Sequence, residues 1–339
     1  LDAVGNDTHG DAQHHGFSAL LNPMKRIPLR HRAPNPSATF FGRDQELERL
    51  GELFERGPLA VLVGPGGIGK TELALRAVPT LFPERQQRAL LFRIPPESSP
   101  DQVRIDLARM MVEASGDESV DIAALRGDPE ELVALAIDLA EAGGFFVMVD
   151  DLHHSDEDEM RELVAQIGAY ARSARWLCTT RSLRPMPGLE GRMLELDMLD
   201  DATLYRLAAS LSTSEDDVAG AVAAAQGSPW LLKQFAAAGA EGVSTSRAGV
   251  LATLEAPEFL RVLASMHEAI TPSVLAQVIA LPDDSCLEAM ERRGLLYRRS
   301  GRFVAHDLVR SFLFPPDART PTRELELGGA LADIDDPDA

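Results

Sequence analysis

The residues with the plainest chemical content lie in one run, VLVGPGGIGKTELALRAV, Val61 to Val78. An apolar stretch ends in Gly64, Pro65, Gly66, Gly67, Ile68, Gly69, Lys70 and Thr71, and an amphipathic helical pattern follows at once. The order G-x-x-x-x-G-K-[ST] between a strand and a helix is a phosphate-cradling loop. Glycines let the backbone fold so that successive N–H groups converge on phosphate oxygens, and the helix N-terminus adds partial positive charge. Lys70 is placed to reach β- and γ-phosphates, and the Thr71 hydroxyl to ligate Mg²⁺. A turn that merely joined strand to helix would need no Lys-Thr pair at that offset. A second chemical signal is FFVMVDDLHH, Phe145 to His154. Apolar residues followed by Asp150 and Asp151 describe a buried parallel strand that delivers carboxylates at its C-terminal end, where ligands bind in open α/β sheets. Asp150 is expected to hold Mg²⁺ through water, and Asp151 to orient or deprotonate an attacking water. An acidic strand end is common by itself; downstream of such a loop it gains meaning. His153 and His154 read as loop residues without a catalytic part.

Elements that could carry these groups alternate along the first two-thirds of the chain, as a parallel sheet flanked by helices requires. Strands are expected at 59–63 and 89–94, helices at 70–81, 101–114 and 129–142. After the acidic strand comes a helix over 156–170 with Met160, Leu163, Val164 and Ile167 inward, and then the strand ARWLCTTRS, which ends in Thr179, Thr180 and Arg181. A short strand leads to a helix capped near Asp200. Beyond it the alternation stops. Ala-rich helix at 215–225 is interrupted by Gly227, Ser228 and Pro229 before Trp230 starts another. Three short helices over 257–266, 271–281 and 283–293, with a hairpin around Ser300-Gly301, read as a winged helix. The expected organisation is a linker at 1–37, a P-loop α/β domain at 38–198, a small helical lid at 199–249, a winged helix at 250–315 and a tail at 316–339.

Composition limits the partners. The chain has 339 residues, enough for two or three domains. With 53 acidic against 33 basic residues its formal charge is −20, a field that repels nucleic acid and anionic membranes. The third helix of the winged helix carries Asp283, Asp284, Glu288 and Glu291 against Arg292 and Arg293, which disfavours insertion into a major groove. The two cysteines, Cys178 and Cys286, fit small buried hydrophobes in a reducing compartment, so a cytoplasmic location is expected. No apolar run approaches the ~20 residues of a membrane span. Four histidines before Arg32 lie in a polar stretch without ligand-like spacing, and the basic group Lys25, Arg26, Arg30, His31, Arg32 is expected to fold back onto the acidic body. The chain begins with Leu and stops in an acidic tail, so it reads as a segment of a longer protein.

Upstream of the loop, Phe41-Gly42-Arg43 with Glu46-Leu47 puts an Arg, expected to be exposed, beside a Gly. This resembles the motif that opens the nucleotide-binding modules of the STAND class of signal-transduction ATPases, which includes the NB-ARC or AP-ATPase family. The resemblance covers roughly residues 38 to 314 in an ordered set of motifs. It implies that Arg43 and its neighbours hold adenine, and that Arg181, at the end of a T-[ST]-R strand, senses the γ-phosphate; an Arg there could instead cap a helix. It implies that Pro229, in G-x-P, packs on adenine and begins the lid, with Trp230 where a small apolar residue is usual. Ala305-His306-Asp307 resembles the family's M-H-D motif, in which the His touches the β-phosphate of ADP and ties the winged helix to a closed state. The nucleotide-binding set is then Phe41, Gly42, Arg43, Gly64 to Glu72, Pro229 and His306, with Lys70, Asp150, Asp151 and Arg181 catalytic and Thr71 and Asp150 on Mg²⁺. The implied activity is a switch: a monomer closed by ADP, an oligomer with ATP, slow hydrolysis to reset, and sensor and effector domains outside this segment. Alternatives are an ATP-controlled transcription regulator whose DNA-binding part lies elsewhere, and a phosphotransferase, for which no acceptor pocket is signalled.

Overall fold

The computed structural model describes residues 27–116, 129–181, 189, 191–211, 215–238, 257–265, 271–293, 295–299, 302–305 and 309. Its centre is a sheet of five parallel strands: β1 (Leu59–Val63), β2 (Ala89–Arg93), β3 (Phe146–Asp150), β4 (Arg175–Thr180) and β5 (Met193–Glu195), in the order β2-β3-β4-β1-β5. Because both faces are covered, the strands are near-continuous apolar runs whose side chains alternate between two cores. Leu59, Val61 and Val63 of β1 enter one core with Val147, Val149, Trp176 and Cys178. Ala60 and Leu62 enter the other with Phe146, Met148 and Leu177. The first core is roofed by α3 (Pro100–Ser115), α4 (Pro129–Gly143) and α5 (Glu157–Tyr170), the second by α1 (Asp44–Arg56) and α2 (Lys70–Leu81). Leu47, Leu50, Leu53 and Phe54 form the inward stripe of α1. Each fully buried side chain of this size contributes roughly 1.5–3 kcal/mol, so the double-sided cores hold the sheet rigidly.

Parallel strands all end on one edge, and that edge receives the loop after β1, Arg93 after β2, Asp150-Asp151 after β3 and Arg181 after β4. The sheet register sets Arg93 opposite Asp150. One step on from the Val149–Cys178 pair, Asp150 stands beside Thr179.

Residues 27–37 correct the expectation of a linker reaching to Ser37. Ile27 is buried in the first core. Arg32 bridges Leu90 in antiparallel fashion, and the Ala33 amide donates to Ala89 O at 2.9 Å. The segment covers the exposed edge of β2, which would otherwise present unpaired backbone groups. Arg30 and His31 pair with Glu113, so these two basic residues do fold back onto the acidic body.

Past the sheet, α6 (Asp201–Ser210), α7 (Glu215–Ala225) and α8 (Pro229–Ala238) enclose a small core of Leu204, Leu207, Ala221, Val222, Leu232 and Phe235. Asp200 caps α6 by accepting from the Thr203 amide at 2.7 Å. Helices α9 (Pro257–Ser265), α10 (Pro272–Val278) and α11 (Asp284–Arg293) pack with the antiparallel pair β6 (Leu296–Arg299) and β7 (Arg302–Ala305) around Phe259, Leu260, Leu263, Leu287 and Phe303. Trp230 of α8 joins that cluster and so links the two helical units. Among the described residues no helix is long and apolar enough to cross a membrane.

Candidate functional site

Gly67 and Gly69 sit at φ +75° and +100°, a backbone that side chains with Cβ rarely adopt, and so the loop can curl back on itself before α2 begins. Lys70, 7% exposed, points its amino group into that curl and donates to Gly64 O at 2.8 Å and Pro65 O at 3.0 Å. The Thr71 hydroxyl lies 3.0 and 3.1 Å from the two oxygens of Asp150. Asp150 is 1% exposed and also accepts from Thr179 Oγ1 at 2.6 Å and from Arg93 Nε at 3.1 Å. Asp151 adopts the left-handed conformation, φ +65°, ψ +49°; its amide donates to Thr179 Oγ1 at 3.0 Å, and its carboxylate lies 3.8 Å from Arg93 Nε. The loop and the acidic strand end thus form one connected polar assembly.

A cavity of about 410 Å³ opens on this assembly. Small-molecule sites span about 300–1,000 Å³. Gly66, Gly67, Ile68, Gly69, Lys70, Thr71 and Glu72 form its floor, Asp151 and Arg181 one wall, Phe41 and Arg43 another, and Pro229 a third. Gly64, Pro65 and Asp150 are not among the lining residues: the first two are carbonyl acceptors for Lys70, and Asp150 is buried. Gly42 is also off the surface: at φ +70° it packs so closely that a Cβ there would lie 2.3 Å from Thr203 Cγ2 of α6. His306 lies outside the described residues.

A family model described as an AAA ATPase domain matches residues 39–169, the span that holds the loop and the acidic pair. Among solved structures, a Signal Transduction ATPase with Numerous Domains (STAND) with a tetratricopeptide repeat sensor, from Pyrococcus horikoshii, aligns over 92% of this chain with a TM-score of 0.67 at 18% identity. The chain has the fold of a STAND-class P-loop ATPase. It spans about half of that relative, 48% of whose length is covered. Two more distant matches are the Walker-type ATPase of Pyrococcus abyssi, at TM-score 0.44, 16% identity and 85% and 99% coverage of the two chains, and the ORC2 protein of Aeropyrum pernix, at 0.44, 12%, 91% and 98%. No curated protein matches the chain.

In this STAND-class fold Arg43 is not the exposed side chain its sequence neighbourhood suggests. It is 5% exposed and donates to Asp197 O at 2.7 Å, to Ile68 O at 3.4 Å and to Glu46 at 2.5 Å. The guanidinium has five donors, and three elements supply acceptors for them. Arg43 therefore fastens the start of α1 to the phosphate loop and to the chain leaving β5, while still lining the cavity.

Several cavity residues carry little sequence signal. Arg93, the polar end of the apolar run ALLFR, obeys the same logic that identifies Asp150, applied to the neighbouring strand. His154 lines the cavity beside Asp151, and its Nδ1 lies 2.7 Å from Ile94 O, an acceptor that fixes the proton on Nδ1. Trp230, Lys233 and Glu291 reach the cavity from α8 and α11 and are found only once the helices are packed. A Mg²⁺ ion fits the donor set, because the Thr71 hydroxyl and Asp150 carboxylate are hard oxygens of the kind it prefers. Among the described residues no cluster of three His, Cys, Asp or Glu offers a dedicated metal cage. Such a sparse protein set is usual for a metal shared with phosphates.

Proposed function

We propose that this chain is the nucleotide-gated switch of a bacterial-type signalling or defence protein, acting in the cytoplasm. ADP holds it closed and monomeric, exchange for ATP opens it for oligomerisation, and slow hydrolysis resets it. The observation that carries the reading is one cavity walled by three pieces of the chain: the phosphate loop, α8 through Pro229, Trp230 and Lys233, and α11 through Glu291. A ligand filling that space contacts all three. Its affinity therefore differs between packed and separated arrangements, and this is all that a population shift requires. On this reading residues 38–198 are the P-loop domain, 199–249 a helical lid and 250–315 a winged helix, the last from the order of three helices and a hairpin.

The roles follow from position. Lys70 and the loop amides of Gly66 to Thr71 bind the phosphates. Phe41, Gly42, Arg43 and Pro229 form the adenine end, Glu72 supports the loop, and Arg181 senses the γ-phosphate. Thr71, and Asp150 through water, hold Mg²⁺, which when bound draws charge from the β- and γ-phosphates. Asp151 orients or deprotonates the attacking water. His306 contacts the β-phosphate in the closed form. Sensor and effector domains lie outside this segment, as do the surfaces they read.

The test is to purify the chain and identify retained nucleotide by mass, with ADP the expected species. Lys70→Ala should abolish nucleotide binding, and undiminished ATP affinity in that variant removes the proposal. His306→Ala should speed ADP release and change the oligomeric state. If neither changes, ADP does not hold the chain closed through that residue.

A further inference from the structure

We propose that Arg93 is the resident counter-cation of the Asp150–Asp151 pair, and that it competes for Asp150 with a divalent metal that arrives with nucleotide. Arg93 then sets how strongly nucleotide binding depends on Mg²⁺. The inference rests on the nucleotide-binding reading above and adds a residue that reading leaves without a part.

Asp150 is engaged by three donors of its own protein. Its Oδ1 accepts from Thr179 at 2.6 Å and Thr71 at 3.0 Å, and its Oδ2 from Thr71 at 3.1 Å and Arg93 at 3.1 Å. A carboxylate has about four acceptor positions. Thr71 has one hydroxyl hydrogen to share between the two oxygens, so three donors serve these positions, and a metal ion, or a water bound to one, competes with them for Asp150. Thr179 cannot leave, because it is 1% exposed and locked into β4 between β1 and β3. Thr71 moves toward the same metal rather than away from it. Arg93 is the donor able to go: its side chain is 23% exposed, has a long flexible stem and borders the cavity.

Charge gives the same answer. Two carboxylates and one guanidinium sum to −1; a divalent ion at Asp150 sets two cations within a few ångströms of each other, and the phosphates that arrive with it give Arg93 a second anion to pair with. The pairing is also built into the sheet, since the β2–β3 register sets Arg93 against Asp150. A displaced guanidinium remains on the cavity that Lys70 and Arg181 also line, where phosphate oxygens offer a new partner. Without metal, Arg93 supplies the positive charge; with metal, it opposes the ion. Both effects make wild-type binding less dependent on Mg²⁺ than the loop and acid alone would.

The experiment measures the ADP dissociation constant of the full chain in excess EDTA and in MgCl₂, and takes the ratio of the two. In Arg93→Gln the ratio is expected to rise by about tenfold or more over wild type, from weaker binding in EDTA, tighter binding in Mg²⁺, or both. Arg93→Lys, which keeps the charge, should stay close to wild type. Arg93→Met, of similar length and uncharged, repeats the test should glutamine disturb folding. A ratio in Arg93→Gln and Arg93→Met equal to or below wild type overturns the proposal, as does an equal rise in Arg93→Lys. Wild-type protein that binds no ADP in either buffer removes the nucleotide-binding reading itself, a result distinct from an unchanged ratio.

Discussion

Replacing Thr179 by Val isolates one hydroxyl that organises the acidic strand end. The side chains share β-branching and nearly the same shape, so the packing of β4 is retained while a donor and acceptor vanish. Two bonds are lost: donation to Asp150 Oδ1 at 2.6 Å and acceptance from the Asp151 amide at 3.0 Å, at a site 1% exposed. A hydrogen bond to a charged partner contributes about 1.5–3 kcal/mol and a neutral one about 0.5–1.5. Asp151 is partly exposed, so its amide recovers some hydration, and the expected destabilisation is about 3 kcal/mol. With a urea slope near 3 kcal/mol/M the unfolding midpoint falls by about 1 M. The two tryptophans are Trp176 and Trp230, and in a Trp230→Phe background the emission of Trp176, fully buried on the same strand, reports the α/β core alone. Thr179→Ser is the control: it restores the hydroxyl and loses one buried methyl, about 0.8 kcal/mol. Asp151 also loses the amide bond to Thr179 that accompanies its left-handed backbone, so if it has the proposed part in orienting or deprotonating water, ATP turnover should fall by about a hundredfold. A Val variant with an unmoved midpoint, or a Ser variant as damaged as Val, refutes the assignment of this hydroxyl as the organising group.

Two further outcomes follow from titratable groups. Burial pushes the Glu113 carboxyl up, but hydrogen bonds and charge from Arg30 and His31 outweigh it and hold the group below its usual value of 4.5. A folded value below the unfolded one means that the stabilisation is whole above 4.5 and is lost as pH falls through the depressed value. Hydrogen exchange at Arg32 and Ala33, corrected for intrinsic rate, should therefore lose protection in acid, and Glu113→Gln should lose it at neutral pH; pH-independent protection contradicts this. Burial raises the Cys178 thiol to about 12, while Cys286 is half-buried. At mildly alkaline pH a thiol reagent should modify Cys286 quickly and Cys178 only after unfolding, and a second fast thiol would contradict the buried position in β4.

How far the sequence was legible depended on the range of the interaction read. Strands and helices came from local periodicity, and 59–63, 70–81 and 215–225 coincide with β1, α2 and α7. Lys70, Thr71 and Asp150 were legible because their chemistry is written as spacing beside an apolar run. Arg43 was read as exposed since a charged residue beside Gly looks like a loop; its burial depends on carbonyls of Asp197 and Ile68, far away in the chain. Residues 27–33 read as linker because they belong to a 1–37 stretch that is polar as a whole and broken by Gly and Pro. They are held by a sheet edge that exists only after β2 has docked on β3. Arg93 is an intermediate case, since its position at a strand end was visible but its register with Asp150 was not.

The connection between the loop and the helices beyond the sheet bears on how a phosphate could act at a distance. Gly67 O accepts from the Trp230 amide at 3.3 Å and the Ser228 hydroxyl at 3.4 Å, so the backbone that would wrap a phosphate is itself bonded to the start of α8. Both bonds are long, and weak geometry of this kind leaves each near the lower end of about 0.5–1.5 kcal/mol. They register α8 on the loop, together with the Leu199 amide, which donates to Gly227 O at 3.0 Å, and Phe41, which packs against the α6–α8 core. Trp230 of α8 shares a core with Phe259 and Phe303, and the cavity lies between the loop and Glu291. A ligand that reshapes the loop therefore acts on α8 through its own floor. The proposed switch then needs only a difference in contact energy between diphosphate and triphosphate at that floor.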